Sequence, residues 1–337
     1  MDNIKLGELR QNTIKKLKAA GIDEAMTVCD MLLMHFFGFS RLFIMTNNDF
    51  IIENSQEDQQ EKAAGFTTAV IRVCKGEPVQ YIIGEADFYG LKFKVTPAVL
   101  IPRGDTEILE EALIKEANAT GSVSPRILDM CTGSGCIGIT LKHNVPGAQV
   151  SCSDISPEAL SIALENCKNI LGGYEKVSFF CGSFFEPFNS GEKFDIIVSN
   201  PPYIPSKDIE TLDVNVKDHE PLLALDGGND GLDPYRIITG EAPSFLNENG
   251  TLMFEVGIGQ ANDVAELMKK AGFSDVKIIK DFGNIERVVS GRIAKKKSEK
   301  PKAEKASETD TKNPLNSPVT VLPGIKGQEH HNLKILA

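Results

Sequence analysis

Residues 126–138, RILDMCTGSGCIG, decide how the chain folds. Ile127, Leu128 and Met130 make a short apolar strand, and Gly133-Ser134-Gly135-Cys136-Ile137-Gly138 then spells G-x-G-x-x-G where a helix begins. Glycine there lets the backbone turn sharply and approach a ligand in torsions that a Cβ forbids. Asp154 ends the next strand about 20 residues further on, where a carboxylate can accept both hydroxyls of an adenosine ribose. The pair implies an adenosine-containing ligand at the carboxyl edge of a sheet, and it fits NAD and S-adenosylmethionine equally. Asp129, just before the loop, reads as a residue that fixes the loop backbone.

Working outward, apolar strand patterns recur at VSCSD (150–154), VSFFCG (177–182), FDIIVSN (194–200), TLMFEV (251–256) and VKIIKD (276–281). Helical patterns follow several of them, notably SPEALSIALENCKNI, with Ser156 as cap and Pro157 at the first helical position. Such alternation predicts a largely parallel sheet covered on both faces. ERVVSGRI (286–293) follows the tight DFGNI turn with no room for a crossover helix, so it should pair antiparallel. Upstream, DTEILEEALIKEA predicts a helix capped by Asp105. From residue 1 to 75, apolar residues at three- and four-residue steps predict a small bundle of amphipathic helices. Residues 76–103 (YIIG, ADFYG, LKFKV) read as short strands in a hairpin-like linker, and 104–293 as the main α/β domain. Residues 294–337 read as a disordered, lysine-biased tail.

Composition narrows the classes. The 337 residues are 41% hydrophobic and 25% charged, as in soluble globular proteins, and 36 Lys plus Arg against 47 Asp plus Glu leave a net charge of −11, which disfavours broad phosphate-backbone binding. The seven cysteines are odd in number and lack C-x-x-C spacing, so reduced thiols in a cytoplasmic protein are expected rather than a disulfide framework or zinc ribbon. The N-terminus does not read as a signal peptide, and no stretch approaches the roughly 18 apolar residues of a membrane span. No metal site is expected; His330 and His331 lack neighbouring ligands.

FDIIVSNPPYI (194–204) carries the chemistry. A strand ends in Asn200, and Pro201 and Pro202 then remove two consecutive N–H donors, leaving an acceptor-rich tip for an NH2 group. Methylation of a planar nitrogen needs such a tip, because its lone pair is delocalised and nucleophilic only weakly. Acceptance of its two hydrogens by the Asn200 oxygen and the Pro201 carbonyl would orient it and ease its pyramidalisation. Tyr203 would pack against the substrate or close the pocket.

The combination IPRGDTE (101–107), DMCTGSG (129–135), SDISPEAL (153–160), FDIIVSNPPYIP (194–205), HEPLLALDGGNDGL (219–232) and DFGNIERVVSGR (281–292) resembles the release factor glutamine methyltransferases, the HemK family. The resemblance implies a seven-stranded, Rossmann-like S-adenosylmethionine-dependent methyltransferase sheet behind a small helical substrate-binding domain. It implies methyl transfer to N5 of the glutamine in the Gly-Gly-Gln motif of class 1 peptide chain release factors; a cytoplasmic monomer with no direct nucleic-acid partner is the accompanying expectation. Carried over by position, Cys131, Thr132, Gly133, Ser134, Gly135 and Asp154 bind S-adenosyl-L-methionine, with Phe184 beside the adenine and Asn200 next to the donor. Asn200, Pro201, Pro202 and Tyr203 hold the glutamine.

Three departures stand out: Cys131 where the family has glycine, Gly104 where it has proline, and Ser183-Phe184 where Asp-Trp is common. His219 and Glu220 read as residues that order a loop beside the site. An adenine N6-methyltransferase and a glutamine methyltransferase of a ribosomal protein are the alternatives. An NAD-dependent oxidoreductase would leave Asn-Pro-Pro-Tyr without a task. A catalytically inert adaptor would bind the cofactor and transfer nothing.

Overall fold

The structure, a computed structural model, describes residues 3–53 and 57–293. The tail expected at 294–337, with His330 and His331, lies outside the described residues. The first part of the chain is helical: α1 (Leu6–Ala19), α2 (Ala25–Phe37), α3 (Arg41–Thr46) and α4 (Glu57–Cys74), with β1 (Ile4–Lys5) paired antiparallel to β2 (Ile51–Ile52). None of these helices is stable alone at such lengths; they persist by burying one apolar face each, with Leu6, Leu17, Leu32, Leu33 and Ile44 fully enclosed.

The connection differs from expectation at one point. Val79–Ile83 is a one-turn helix, α5, rather than a strand, bounded by Pro78 and by Gly84 at φ 74°. Four apolar residues around a single Gln80 carry no decisive period, and the helix places Val79 and Tyr81 in the core with the Tyr81 hydroxyl donating to the Val99 carbonyl at 2.6 Å. The hairpin follows as β3 (Glu85–Phe88) and β4 (Leu91–Lys94), turning through Tyr89 and Gly90, both at positive φ.

The main domain runs α6 (Thr106–Ala119), β5 (Arg126–Met130), α7 (Cys136–Asn144), β6 (Gln149–Asp154), α8 (Pro157–Leu171), β7 (Ser178–Cys181), β8 (Phe194–Ser199), α9 (Val214–Lys217), α10 (Asp233–Phe245), β9 (Leu246–Glu255), α11 (Ala261–Lys270), β10 (Phe273–Lys280) and β11 (Glu286–Ile293). The seven-stranded sheet has the order β10-β11-β9-β8-β5-β6-β7, with only β11 antiparallel to its neighbours. Apolar side chains fill both faces, Ile127, Ile196 and Val198 on one and Leu128, Ile197 and Leu252 on the other, so the strands read as continuous apolar runs. Strand order reverses between β5 and β8, and a crevice at such a switch point, outside the carboxyl ends, is where open α/β sheets bind ligands.

Two caps show what local sequence can specify. The Ser156 hydroxyl accepts the Ala159 N–H at 3.1 Å, as its position before Pro157 predicts. Asp105, expected to cap α6, has helical torsions and makes no such bond; its carboxylate instead pairs with Arg287 Nη2 of β11 at 2.8 Å. An ion pair with a distant strand has displaced the local cap. Among the described residues no helix is long and apolar enough to cross a membrane, and all seven cysteines are free thiols.

Candidate active site

A cavity of about 310 Å³ opens at the carboxyl ends of β5, β6 and β8, a volume within the range of small-molecule sites. It is lined from the glycine loop by Cys131, Thr132, Gly133 and Ser134, from β6 by Ser153 and Asp154, and beyond β7 by Ser183 and Phe184. Thr106, Asn200 and Pro202 line it as well, bringing together residues from IPRGDTE, the glycine loop and the Asn-Pro-Pro-Tyr tip.

The three motif glycines divide the work between ligand space and packing. Gly133 has φ 55°, and a Cβ there would meet nothing within 4 Å, so the backbone is bare toward open space. Gly135 has φ 80° and turns the chain into α7. Gly138 has no ligand role: a Cβ would collide with Cys152 Sγ of β6 and stand 3.0 Å from Asp129 Oδ2. Asp129 is fully buried and braces the loop, its Oδ2 accepting the Thr132 hydroxyl and the Gly138 N–H, the latter at 2.9 Å.

Asp154 faces the cavity with each oxygen partly used. Oδ2 accepts the Gly133 N–H at 2.9 Å and Oδ1 the Ser156 N–H at 3.0 Å, and each oxygen retains a lone pair for a further donor. Burial pushes its pKa up, and these backbone N–H groups hold it down. Ser153 adds a buried hydroxyl with no partner among the described residues. Spare carboxylate lone pairs, an unpaired hydroxyl and a bare glycine backbone fit the adenosine and sulfonium parts of S-adenosyl-L-methionine.

Cys131 sits at φ 60°, a region that strains a residue with a Cβ. Burial drives its thiol pKa well up, which disfavours the nucleophilic thiolate. Phe184 also has positive φ, 44°, in the turn that follows β7.

At the tip of β8, Asn200 Nδ2 donates to Thr106 Oγ1 at 3.3 Å, while Asn200 Oδ1 accepts no hydrogen bond among the described residues. The Pro201 carbonyl is likewise without a donor among them. Pro201 is buried and Tyr203 half-buried, and neither lines the cavity. Tyr203 packs, partly buried, against the core on its side of the sheet, and its carbonyl accepts the Gln260 Nε2–H at 2.9 Å; burial raises its hydroxyl pKa to about 12.

Glu220 is buried and bonded to Arg103, which lines the cavity along with Pro221, Leu223 and Ala224. This matches the loop-ordering role read from HEPLLAL, whereas His219 does not line the cavity. Two residues went unread in the sequence. Thr106 was legible only as a helix-start residue, and Glu255 only as a charge ending an apolar strand, until the fold set both behind Asn200.

The chain matches the PrmC N-terminal domain over residues 8–84 and the methyltransferase small domain over residues 104–217. It is 42% identical to the release factor glutamine methyltransferase of Geobacter sulfurreducens over 277 residues, 82% of this chain and 93% of the relative. It is 38% identical to the Clostridium acetobutylicum protein of the same name, over 81% of this chain and 93% of the relative. A crystal structure of a release-factor-specific protein-(glutamine-N5) methyltransferase from Alicyclobacillus acidocaldarius aligns at 29% identity and a TM-score of 0.37, covering 60% of this chain and 99% of that one. The sheet is that of the S-adenosylmethionine-dependent methyltransferases, and S-adenosyl-L-methionine is the cofactor. With this identity sustained from the helical domain through the sheet, the chain belongs to the release factor glutamine methyltransferase family.

Proposed function

We propose that this protein methylates the side-chain N5 of the glutamine in the Gly-Gly-Gln motif of class 1 peptide chain release factors. One observation carries the reading: Asn200, at the cavity edge, commits an amide N–H to Thr106 and keeps its oxygen for an incoming donor. A carboxamide nitrogen offers two such hydrogens, and the Pro201 carbonyl supplies the second acceptor on a tip that two prolines have stripped of donors.

Bound S-adenosyl-L-methionine supplies an electrophilic sulfonium methyl. Cys131, Thr132, Gly133, Ser134, Gly135 and Asp154 would hold it, with Phe184 against the adenine. Asn200 and Pro201 orient the amide nitrogen so that its lone pair faces the donor, and fixed acceptors there favour the more pyramidal nitrogen of the transition state over the planar ground state. Pro202 walls the pocket, and Tyr203 braces the tip from the core side. The amide nitrogen would take the methyl as its bond to sulfur breaks, leaving S-adenosyl-homocysteine, and would give up one hydrogen to water as a proton while keeping the other.

On this reading the helical segment 1–75 engages the factor, residues 76–103 join it to the catalytic domain 104–293, and a cytoplasmic monomer with no nucleic-acid partner suffices. Incubation with labelled S-adenosyl-L-methionine and a purified class 1 release factor, followed by mass-spectrometric location of the methyl group, tests it. Label on the Gly-Gly-Gln glutamine is expected. Label on adenine in DNA or on a ribosomal protein, with none on the factor, would overturn it.

A further inference from the structure

Glu255 ends β9, one position beyond Phe254, which is in register with Ser199 of parallel β8; Glu255 and Asn200 therefore sit side by side at two neighbouring strand ends. Glu255 is 4% exposed, does not line the cavity, and its Oε2 has no hydrogen-bond partner among the described residues. A buried carboxylate oxygen without a partner costs stability, so packing alone gives no reason for a glutamate here.

An ionised carboxylate accepts hydrogen bonds and never donates them. The Thr106 hydroxyl lies close enough to Glu255 to draw its pKa down, so the charge favours that hydroxyl's hydrogen on the carboxylate side and leaves its oxygen to receive the Asn200 Nδ2–H at 3.3 Å. Asn200 cannot turn its oxygen inward without setting it against a negative charge. A side-chain amide has two nearly isosteric orientations, and only its partners choose between them.

We infer that Glu255 is a positioning residue for the methyl transfer: acting on Asn200 directly and through Thr106, it holds the Asn200 nitrogen inward and so presents the Asn200 oxygen to the substrate amide. The inference rests on the proposed role of Asn200 as the acceptor of that amide. Two stretches far apart in the chain meet here, IPRGDTE and NIERVVSGR. The first supplies Thr106 and Asp105, and the second supplies Arg287, which pairs with Asp105 beside Glu255.

The groups facing the carboxylate are Asp105 and Thr106 of α6, Arg287 of β11, Cys136 of α7, Tyr203, and Tyr235 of α10, whose hydroxyl donates to the Glu255 carbonyl at 2.8 Å. Burial raises the Glu255 pKa to about 7; Asp105 raises it further, while Thr106, Asn200 and Arg287 draw it down. Below that pH the protonated acid can donate to Thr106, the hydroxyl can donate to Asn200, and the amide loses its preferred orientation.

The test uses the full chain, labelled S-adenosyl-L-methionine and a purified class 1 release factor, and measures kcat and KM from pH 5.5 to 9. Wild-type kcat is expected to fall on the acid side of about 7. Glu255→Gln should lower kcat at pH 8 by ~30-fold or more and abolish that acid limb, with KM for the factor and calorimetric affinity for S-adenosyl-homocysteine within ~threefold of wild type. Thr106→Val should lower kcat by ~tenfold, and Thr106→Ser should restore it; this pair decides the matter if Glu255→Gln does not fold. A Glu255→Gln enzyme with wild-type kcat and an intact acid limb overturns the inference while leaving the methyl-transfer reading in place. Equal values for Thr106→Val and wild type do the same, and absence of transfer by the wild type overturns both.

Discussion

Arg103 and Glu220, 117 positions apart, form an ion pair at the cavity in which the carboxylate is buried and the guanidinium remains part-exposed. Burial raises the Glu220 pKa and Arg103 opposes the rise, so the arginine keeps a charge tolerable where water is excluded. Arg103→Ala should destabilise the protein by about 2 kcal/mol, between the surface and buried limits for ion pairs. Urea unfolding at pH 7.5 measures this; the double variant with Glu220→Gln should recover part of the loss, and an unchanged midpoint for Arg103→Ala would count against the pair.

Asn200→Ala removes an acceptor from the substrate and leaves the donor's contacts in place. Turnover should fall by roughly a hundredfold or more, on the order of 3 kcal/mol in the transition state. Isothermal titration with S-adenosyl-homocysteine should give an affinity close to wild type. Near-normal turnover would remove Asn200 from the chemistry.

Asp154→Ala acts on the other half of the site. It deletes the acceptor of the Gly133 and Ser156 N–H groups along with the lone pairs facing the cavity. Affinity for S-adenosyl-L-methionine should weaken by ~tenfold to a hundredfold, the usual worth of hydrogen bonds to a charged group. An unchanged dissociation constant would exclude the ribose contact.

Glu110 and Asp129 make a buried acidic pair beneath the glycine loop. Glu110 has no partner for either oxygen among the described residues, and burial together with Asp129 raises its pKa well above the ordinary value. Burial raises Asp129 to about 7 against the pull of Thr132 and Gly138. Between the unfolded carboxyl range and about 7, the folded state therefore binds more protons than the unfolded one, and stability falls as pH rises through that window. Thermal unfolding should show a lower midpoint at pH 8 than at pH 6, and Glu110→Gln should flatten the dependence. A midpoint that climbs over this interval in the wild type would contradict the assignment.

Gly138→Ala separates packing from ligand binding. The new methyl must displace Cys152 and crowd Asp129, at a cost of about 1–3 kcal/mol for an overpacked core. Differential scanning calorimetry should show the loss, and Cys152→Ala in the same chain should relieve part of it. If Gly138→Ala melts like wild type, α7 does not pack as closely on β6 as the structure has it.

The legible features share one cause: they are local or periodic. The β-α alternation, the Ser156 cap and the antiparallel closing strand follow from apolar spacing and loop length, and the structure has all three. The helix at Val79–Ile83 escaped because so short a segment, four apolar residues and Gln80, suits a strand and a helical turn alike, and only burial of Val79 and Tyr81 decides between them. Asp105 escaped because its cap competes with an arginine far along the chain. Among the site residues, Asn200, Asp154 and the loop announce themselves at strand ends, whereas Tyr203 packs against the core and not along the cavity.

By itself, then, the sequence determined the order of strands and helices, the glycine loop, the acidic tip and the proline-capped asparagine, because each is written within a few residues of chain. The tertiary structure alone decided that Thr106, Glu255 and Arg287 would meet behind that asparagine. Their meeting depends on which strands lie side by side and which helix covers them, and no short stretch encodes that. The identity of Asn200 is a property of the chain; the direction its amide points is a property of the fold.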